Sequence, residues 1–413
     1  MNAAAQLVAL IVASALCARG AVAGDHWQGA WGFPPINFPP TGGPHEGTAP
    51  PVAEFNDVTV RQIVRIAGDA RRLRVRFSNE FGATELKFDH AHVALAGADG
   101  LTLPDSDHEL TFSGHAFAAI PAGAPLLSDP VNWQLTALSR LAVSVHLANP
   151  AVPPAHRILE YVSAPGDYTA ATRMDGVQAV RSGALAAAIE TDGSRARKVI
   201  VALGDSITEG HGSTDSEFRT WPDRLAERMQ SQAATRGYRV VNAGINSNRL
   251  LHNNPGMGAM ARFDRDVLGV PGVALIVLLE GINDIGYSHT VPEQAVSAAE
   301  IVEAYQQLIA RAHAHGIGIF AGTLTPFEDS HYYTPEGEAI RQSVNLWIRT
   351  GGRFDGVIDF DLVIRDERHP ARVNPDLALP DHLHPNDAGY AAMAQSIDLR
   401  RLIAAAQRYA GSY

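Results

Sequence analysis

The sequence predicts an α/β chain, an antiparallel β-sandwich followed by a parallel sheet held between helices, and three observations carry that expectation. Apolar residues recur at every second position through much of the first half, with almost no helical pattern. From Val199 onward, short apolar runs alternate with segments of helical periodicity, the texture of a parallel sheet. A length of 413 residues makes two domains the natural prior, and 46% hydrophobic content suffices for a substantial core.

The chain opens with an apolar run from Leu7 to Ala18 and reaches Ala21-Val22-Ala23, an A-x-A pattern, although no Lys or Arg precedes the run. Residues 1–23 therefore read as a secretory signal cleaved after Ala23, and the protein as secreted or periplasmic. The run is too short to span a bilayer comfortably, and no later run of about 18 apolar residues replaces it, so no stable membrane insertion is expected. The only cysteine, Cys17, falls inside the signal, where Ser14-Ala15-Leu16 fits a lipoprotein cleavage site poorly. A mature chain then holds no thiol, which excludes disulfides, cysteine-ligated zinc and cysteine catalysis. Formal charge is −11, or −12 once Arg19 is removed, because 32 basic residues then face 44 acidic ones. The charges are interspersed, so no nucleic-acid partner is expected.

Residues 25–51 hold Trp27, Trp31 and the run Phe33-Pro34-Pro35-Ile36-Asn37-Phe38-Pro39-Pro40, which should be extended. Val58, Val60, Ile63 and Ile66, then Leu73, Val75 and Phe77, then Leu141, Val143, Val145 and Leu147 read as half-buried antiparallel strands. They place a β-sandwich or jelly roll over 24–195, with the boundary in the segment from Gly166 to Lys198. Residues 196–413 follow with strands expected at 199–203, 239–243, 273–279, 317–320 and 357–361, and a helix over 297–314.

Candidate chemistry collects at the carboxyl ends of these strands, the edge where ligands bind in open α/β sheets. Ser206 follows the apolar run Val199 to Leu203 in Gly204-Asp205-Ser206, and a serine hydroxyl becomes a nucleophile only with a base and oxyanion donors nearby. Gly244 follows the second strand in Asn242-Ala243-Gly244, and Asn283 the third in Glu280-Gly281-Ile282-Asn283-Asp284. Taken singly, each reads more simply as a turn. Asp381-His382-Leu383-His384 sets a carboxylate three residues before an imidazole, a spacing that lets it orient the ring; a metal site from Asp381, His382 and His384 competes with that reading. His382 itself reads as packing or substrate lining. No H-E-x-x-H occurs, and His313 and His315 read as ordinary helix-end histidines.

Together and in this order, the four blocks resemble the SGNH (GDSL-type) hydrolase family over about 198–405. The resemblance implies a three-layer α/β/α flavodoxin-like domain and a serine esterase that needs neither cofactor nor metal. It implies Ser206 as nucleophile, His384 as base and then acid, Asp381 as its orienting carboxylate, and Ser206, Gly244 and Asn283 as the oxyanion hole. A G-x-S-x-G elbow is absent, since Thr208 stands where its second glycine would be. Trp27-Gln28-Gly29-Ala30-Trp31, Val60-Arg61-Gln62 and Ser78-Asn79-Glu80-Phe81-Gly82 are similar to a two-domain secreted bacterial subgroup that includes plant-polysaccharide deacetylases. The expected partner is an ester, with acylated polysaccharide ahead of simple aryl or alkyl esters and of a lipase substrate. A non-catalytic glycan-binding protein is the alternative from another class, motivated by the Pro- and Trp-containing N-terminal region. Oligomeric state stays open.

Overall fold

The computed structural model describes residues 26–36, 55–151, 158–181, 185–193, 198–253 and 256–410. The expected signal and the second half of the proline-rich run, from Asn37 onward, lie outside them. Strands β1 (Trp27–Gly32), β2 (Val58–Arg65), β3 (Ala70–Ser78), β4 (His90–Leu95), β5 (Arg140–Leu147), β6 (Glu160–Pro165) and β7 (Ala186–Asp192) frame the first half. All their pairings are antiparallel: β1–β7–β3 in one sheet and β6–β2–β5–β4 in the other, with short strands extending each. Val60, Val64, Leu73, Val75, Phe77, Val143 and Ile189 fill one core between the sheets, as alternation places them.

One expectation changes here. β2 and β5 are buried on both faces, not half-buried. Arg61 on the outer face donates to Ser144 Oγ at 2.8 Å and to the carbonyls of Gly100, Tyr168 and Ala171, so the loops around 100 and 168–172 cover that side. A buried guanidinium fully supplied with acceptors costs little, whereas alternation alone cannot reveal the cover. The expected boundary segment also holds structure: strand Gln178–Val180 and β7 belong to the sandwich, and β7 sits between β1 and β3.

The second half carries β8 (Val199–Gly204), β9 (Arg239–Gly244), β10 (Val273–Leu279), β11 (Gly318–Gly322) and β12 (Gly356–Ile358), all parallel in the order β9-β8-β10-β11-β12. That is the flavodoxin-like order, whose switch point lies between β8 and β10. Every residue of β10 is buried, as helices on both faces require. The helices are α1 (Ser206–Glu209), α2 (Trp221–Ser231), α3 (Ala259–Phe263), α4 (Ile282–Tyr287), α5 (Ala298–Ala314), α6 (Pro335–Thr350), α7 (Phe360–Ile364), α8 (Asp387–Ser396) and α9 (Leu399–Ala410). Local chemistry starts them: Thr220 caps α2 ahead of Pro222, and Ser297 with Glu300 forms a capping box on α5. The strand expected over 357–361 stops at Ile358, because Asp359 accepts from the Leu362 N–H and turns the chain into α7. None of the helices among the described residues is long and apolar enough to cross a membrane.

The halves meet closely. Gly29 of β1 donates to Pro271 O at 2.9 Å, and a Cβ there would stand 2.8 Å from Val270, so β1 lies against the edge of the parallel sheet only as glycine. Arg65 of β2 pairs with Glu227 at 2.7 Å and Asp223 at 3.3 Å on α2. Arg239 of β9 donates to Gln28 Oε1 at 2.6 Å and Asp69 O at 2.9 Å.

Candidate active site

The turn from β8 into α1 sets the serine. Asp205 caps α1, its carboxylate accepting from the Ile207 N–H at 2.9 Å, and Ser206 is the first helical residue, 4% exposed. Gly204 permits the turn, since a Cβ would meet Thr208 Oγ1 at 2.2 Å and Leu279 O at 2.4 Å. Gly210 closes the single turn with φ +107°, a left-handed value suited to glycine.

From 178 positions away, His384 Nε2 comes to 2.9 Å from Ser206 Oγ. His384 Nδ1 faces Asp381 Oδ2 at 2.7 Å, while Asp381 Oδ1 accepts from the N–H groups of Leu383 and His384 at 3.0 Å each. Burial pushes the Asp381 carboxyl up, but those hydrogen bonds and the imidazole beside it outweigh burial and hold it well below the usual carboxylate range. Asp381 therefore stays ionised against the imidazole. His382, at φ +59°, makes the turn that brings its two neighbours onto one side and is itself exposed, not packed.

The two remaining sequence candidates differ. Asn283, buried at the start of α4, gives one Nδ2 hydrogen to Asn248 O at 2.8 Å and keeps a second. Gly244 does not present its N–H to the serine, because that single hydrogen goes to Asn242 Oδ1 at 2.8 Å. Its bareness serves packing: a Cβ would stand 2.1 Å from the Glu209 backbone nitrogen of α1.

Three further groups carried no sequence signal. Arg262, fully buried on α3, donates to Asn248 Oδ1 at 2.8 Å, Ala243 O at 2.7 Å and Gly204 O at 2.9 Å, tying the ends of β8 and β9 together. Around it lie the buried carboxyls of Asp205, pushed up to about 7 chiefly by burial, and Glu280, driven well above its ordinary value by the same cause. His211 donates its N–H to Ser206 O at 2.9 Å and sets its exposed ring 4.3 Å, centre to centre, from that of His384. His211, Asp381 and His384 bring one ligand-type atom each within 4.8 Å of one another, in place of the Asp381, His382 and His384 set weighed from the sequence. Both ring nitrogens of His384 already face Asp381 and Ser206, an arrangement that suits proton transfer.

Residues 202–392 match the model of the GDSL-like Lipase/Acylhydrolase family, a span that contains Ser206, Asn283, Asp381 and His384. A GDSL-like lipase/acylhydrolase domain therefore occupies these residues. The GDSL-like domain makes the protein an ester hydrolase. Solved structures similar to it include LAE5, an alpha/beta hydrolase enzyme from the metagenome of Lake Arreo, Spain, at 21% identity over 52% of this chain and 97% of that one, with TM-score 0.39. A catalytic mutant of Axe2, an acetylxylan esterase from Geobacillus stearothermophilus, is similar at 22% identity over 51% of this chain and 95% of that one, with TM-score 0.40. No curated protein sequence matches the chain.

Proposed function

We propose that the protein is an exported serine esterase that removes short acyl groups through an acyl-enzyme, with O-acetyl groups on carbohydrate as the substrate class. The contact of Ser206 Oγ with His384 Nε2 at 2.9 Å, continued to Asp381 at 2.7 Å, is the observation that carries this reading. Ser206 attacks the ester carbonyl while His384 takes the hydroxyl proton, and Asp381 steadies the imidazolium. The oxyanion is met by the Ser206 N–H and the second hydrogen of the Asn283 amide. Collapse breaks the carbonyl-to-alkoxy bond, and the alcohol leaves with the proton from His384. Water, deprotonated by the same imidazole, then attacks the acyl-serine, and the acid departs as Ser206 recovers its proton.

Replacing Ser206→Ala is expected to cut turnover of p-nitrophenyl acetate by about 1,000-fold or more with the melting curve kept. Turnover at the wild-type rate in that variant would refute the reading. Carbohydrate as the acyl carrier is supported by the acidic, exported chain and the attached sandwich, and acetate release from acetylated xylan measures it. Export rests on the apolar run and Ala21-Val22-Ala23. N-terminal sequencing of secreted protein should begin at Gly24; a chain retaining Met1 outside the cell contradicts it.

A further inference from the structure

Between the two halves lies a cleft of about 670 Å³ whose lining includes neither Ser206 nor His384. Trp31 and Phe33 at the end of β1, Ile63 of β2 and Leu159 wall it on the sandwich side, and the stretch from Glu209 to Ser216 walls it opposite. The walls are fastened to each other: Arg65 pairs with Asp223 and Glu227 at one end, and Arg181 pairs with Asp215 across the gap.

The cleft meets the catalytic pair at His211. That residue belongs to the lining, its ring packs on His384, and its backbone is hydrogen-bonded to Ser206. Chemistry decides which half of an ester points this way. The leaving oxygen must accept its proton from His384 Nε2, so the alcohol has to lie on the His384 side of the carbonyl, within hydrogen-bond reach. His211, which covers one side of His384, is also the residue through which the cleft reaches the catalytic pair.

We propose that the cleft binds the alcohol half of the ester, and that this alcohol is a saccharide longer than one ring. The proposal rests on the esterase reading above. The volume falls in the roughly 300–1,000 Å³ range of ligand clefts, far beyond what an acetyl group fills. An apolar acyl tail is a poor occupant, because Glu209, Asp215, Asn242 and Asn246 line the same space and their desolvation against hydrocarbon is costly. Sugar rings suit it: their hydroxyls match these polar groups and their C–H faces match Trp31 and Phe33. The sandwich then selects the substrate and is more than a support.

The test uses the full-length protein and three acetyl esters: acetylated xylotriose, p-nitrophenyl acetate and hexyl acetate. Phe33→Ala removes an aromatic wall, and Leu159→Trp fills the cleft without depending on the loss of a packed ring. The ratio of kcat/KM for the xylotriose ester to that for p-nitrophenyl acetate is expected to fall about tenfold in each variant, through KM. A ratio that stays within about threefold of wild type in both overturns the assignment. So does a loss that falls on hexyl acetate and spares the xylotriose ester. Failure of the parent reading is separate, since it would appear as Ser206→Ala retaining p-nitrophenyl acetate turnover.

Discussion

Asp381 serves two neighbours with two oxygens, one fixing the His384 ring and the other gathering the N–H groups of Leu383 and His384. Asp205 shows the opposite electrostatic state, a fully buried acid pushed up to about 7, with Asp284 and Glu209 adding to burial against the Ile207 N–H and Arg262. An Asp in an unfolded chain titrates near about 3.9, so folding takes up a proton between there and about 7. The stability this confers is complete below the unfolded value and is lost as pH rises through the folded one. Asn keeps the acceptor for the Ile207 N–H and cannot ionise. Asp205→Asn should therefore melt above wild type at pH 8, by the equivalent of about 1–3 kcal/mol, with the gap closing near pH 4. A gap independent of pH in melting curves contradicts it. The three side chains that meet, Ser206, His384 and Asp381, were legible as candidates because they are chemically distinct types at informative places: Ser206 just past an apolar strand, Asp381 three residues before His384. Arg262 and His211 were not legible, since the sequence shows neither which way a short helix turns its arginine nor which ring will stack on His384.

At the scale of elements, runs of five to seven apolar residues located β8 and β10 almost to the residue, and the helix expected over 297–314 is α5. The burial of both faces of β2 escaped, because its cover comes from loops more than 35 residues away in sequence, such as Gly100. Gly244 shows how one residue fits two accounts. As an oxyanion donor it would have tolerated a methyl group, whereas as a packing glycine it cannot, since Glu209 N and Thr208 C are backbone atoms of α1 lying 2.1 and 2.7 Å from a built Cβ. Gly244→Ala is expected to lower stability by about 1–3 kcal/mol and to reduce kcat by displacing α1 with its serine. A wild-type melting temperature together with wild-type kcat in this variant would contradict the packing account.

Across the whole molecule, two cores share one chain, and the contacts between them were the least legible feature. Gln28 and Arg239 meet across 211 positions, Arg65 and Glu227 across 162, and no local periodicity reports such pairings. The order of the parallel sheet was accessible through the family resemblance, while the way β1 lies against β9 depends on Gly29 and Gly32 being bare. That docking makes the cleft and leaves the carboxyl edge of the parallel sheet carrying Ser206, Asn283 and His384. Trapping the acyl-enzyme tests the central claim most directly. Acid quench during p-nitrophenyl acetate turnover, followed by peptide mass spectrometry, should find one acetyl group on the peptide bearing Ser206 and none there in Ser206→Ala. Acetyl carried by another residue on the catalytic time scale, or full turnover with no acylated serine, would contradict the account.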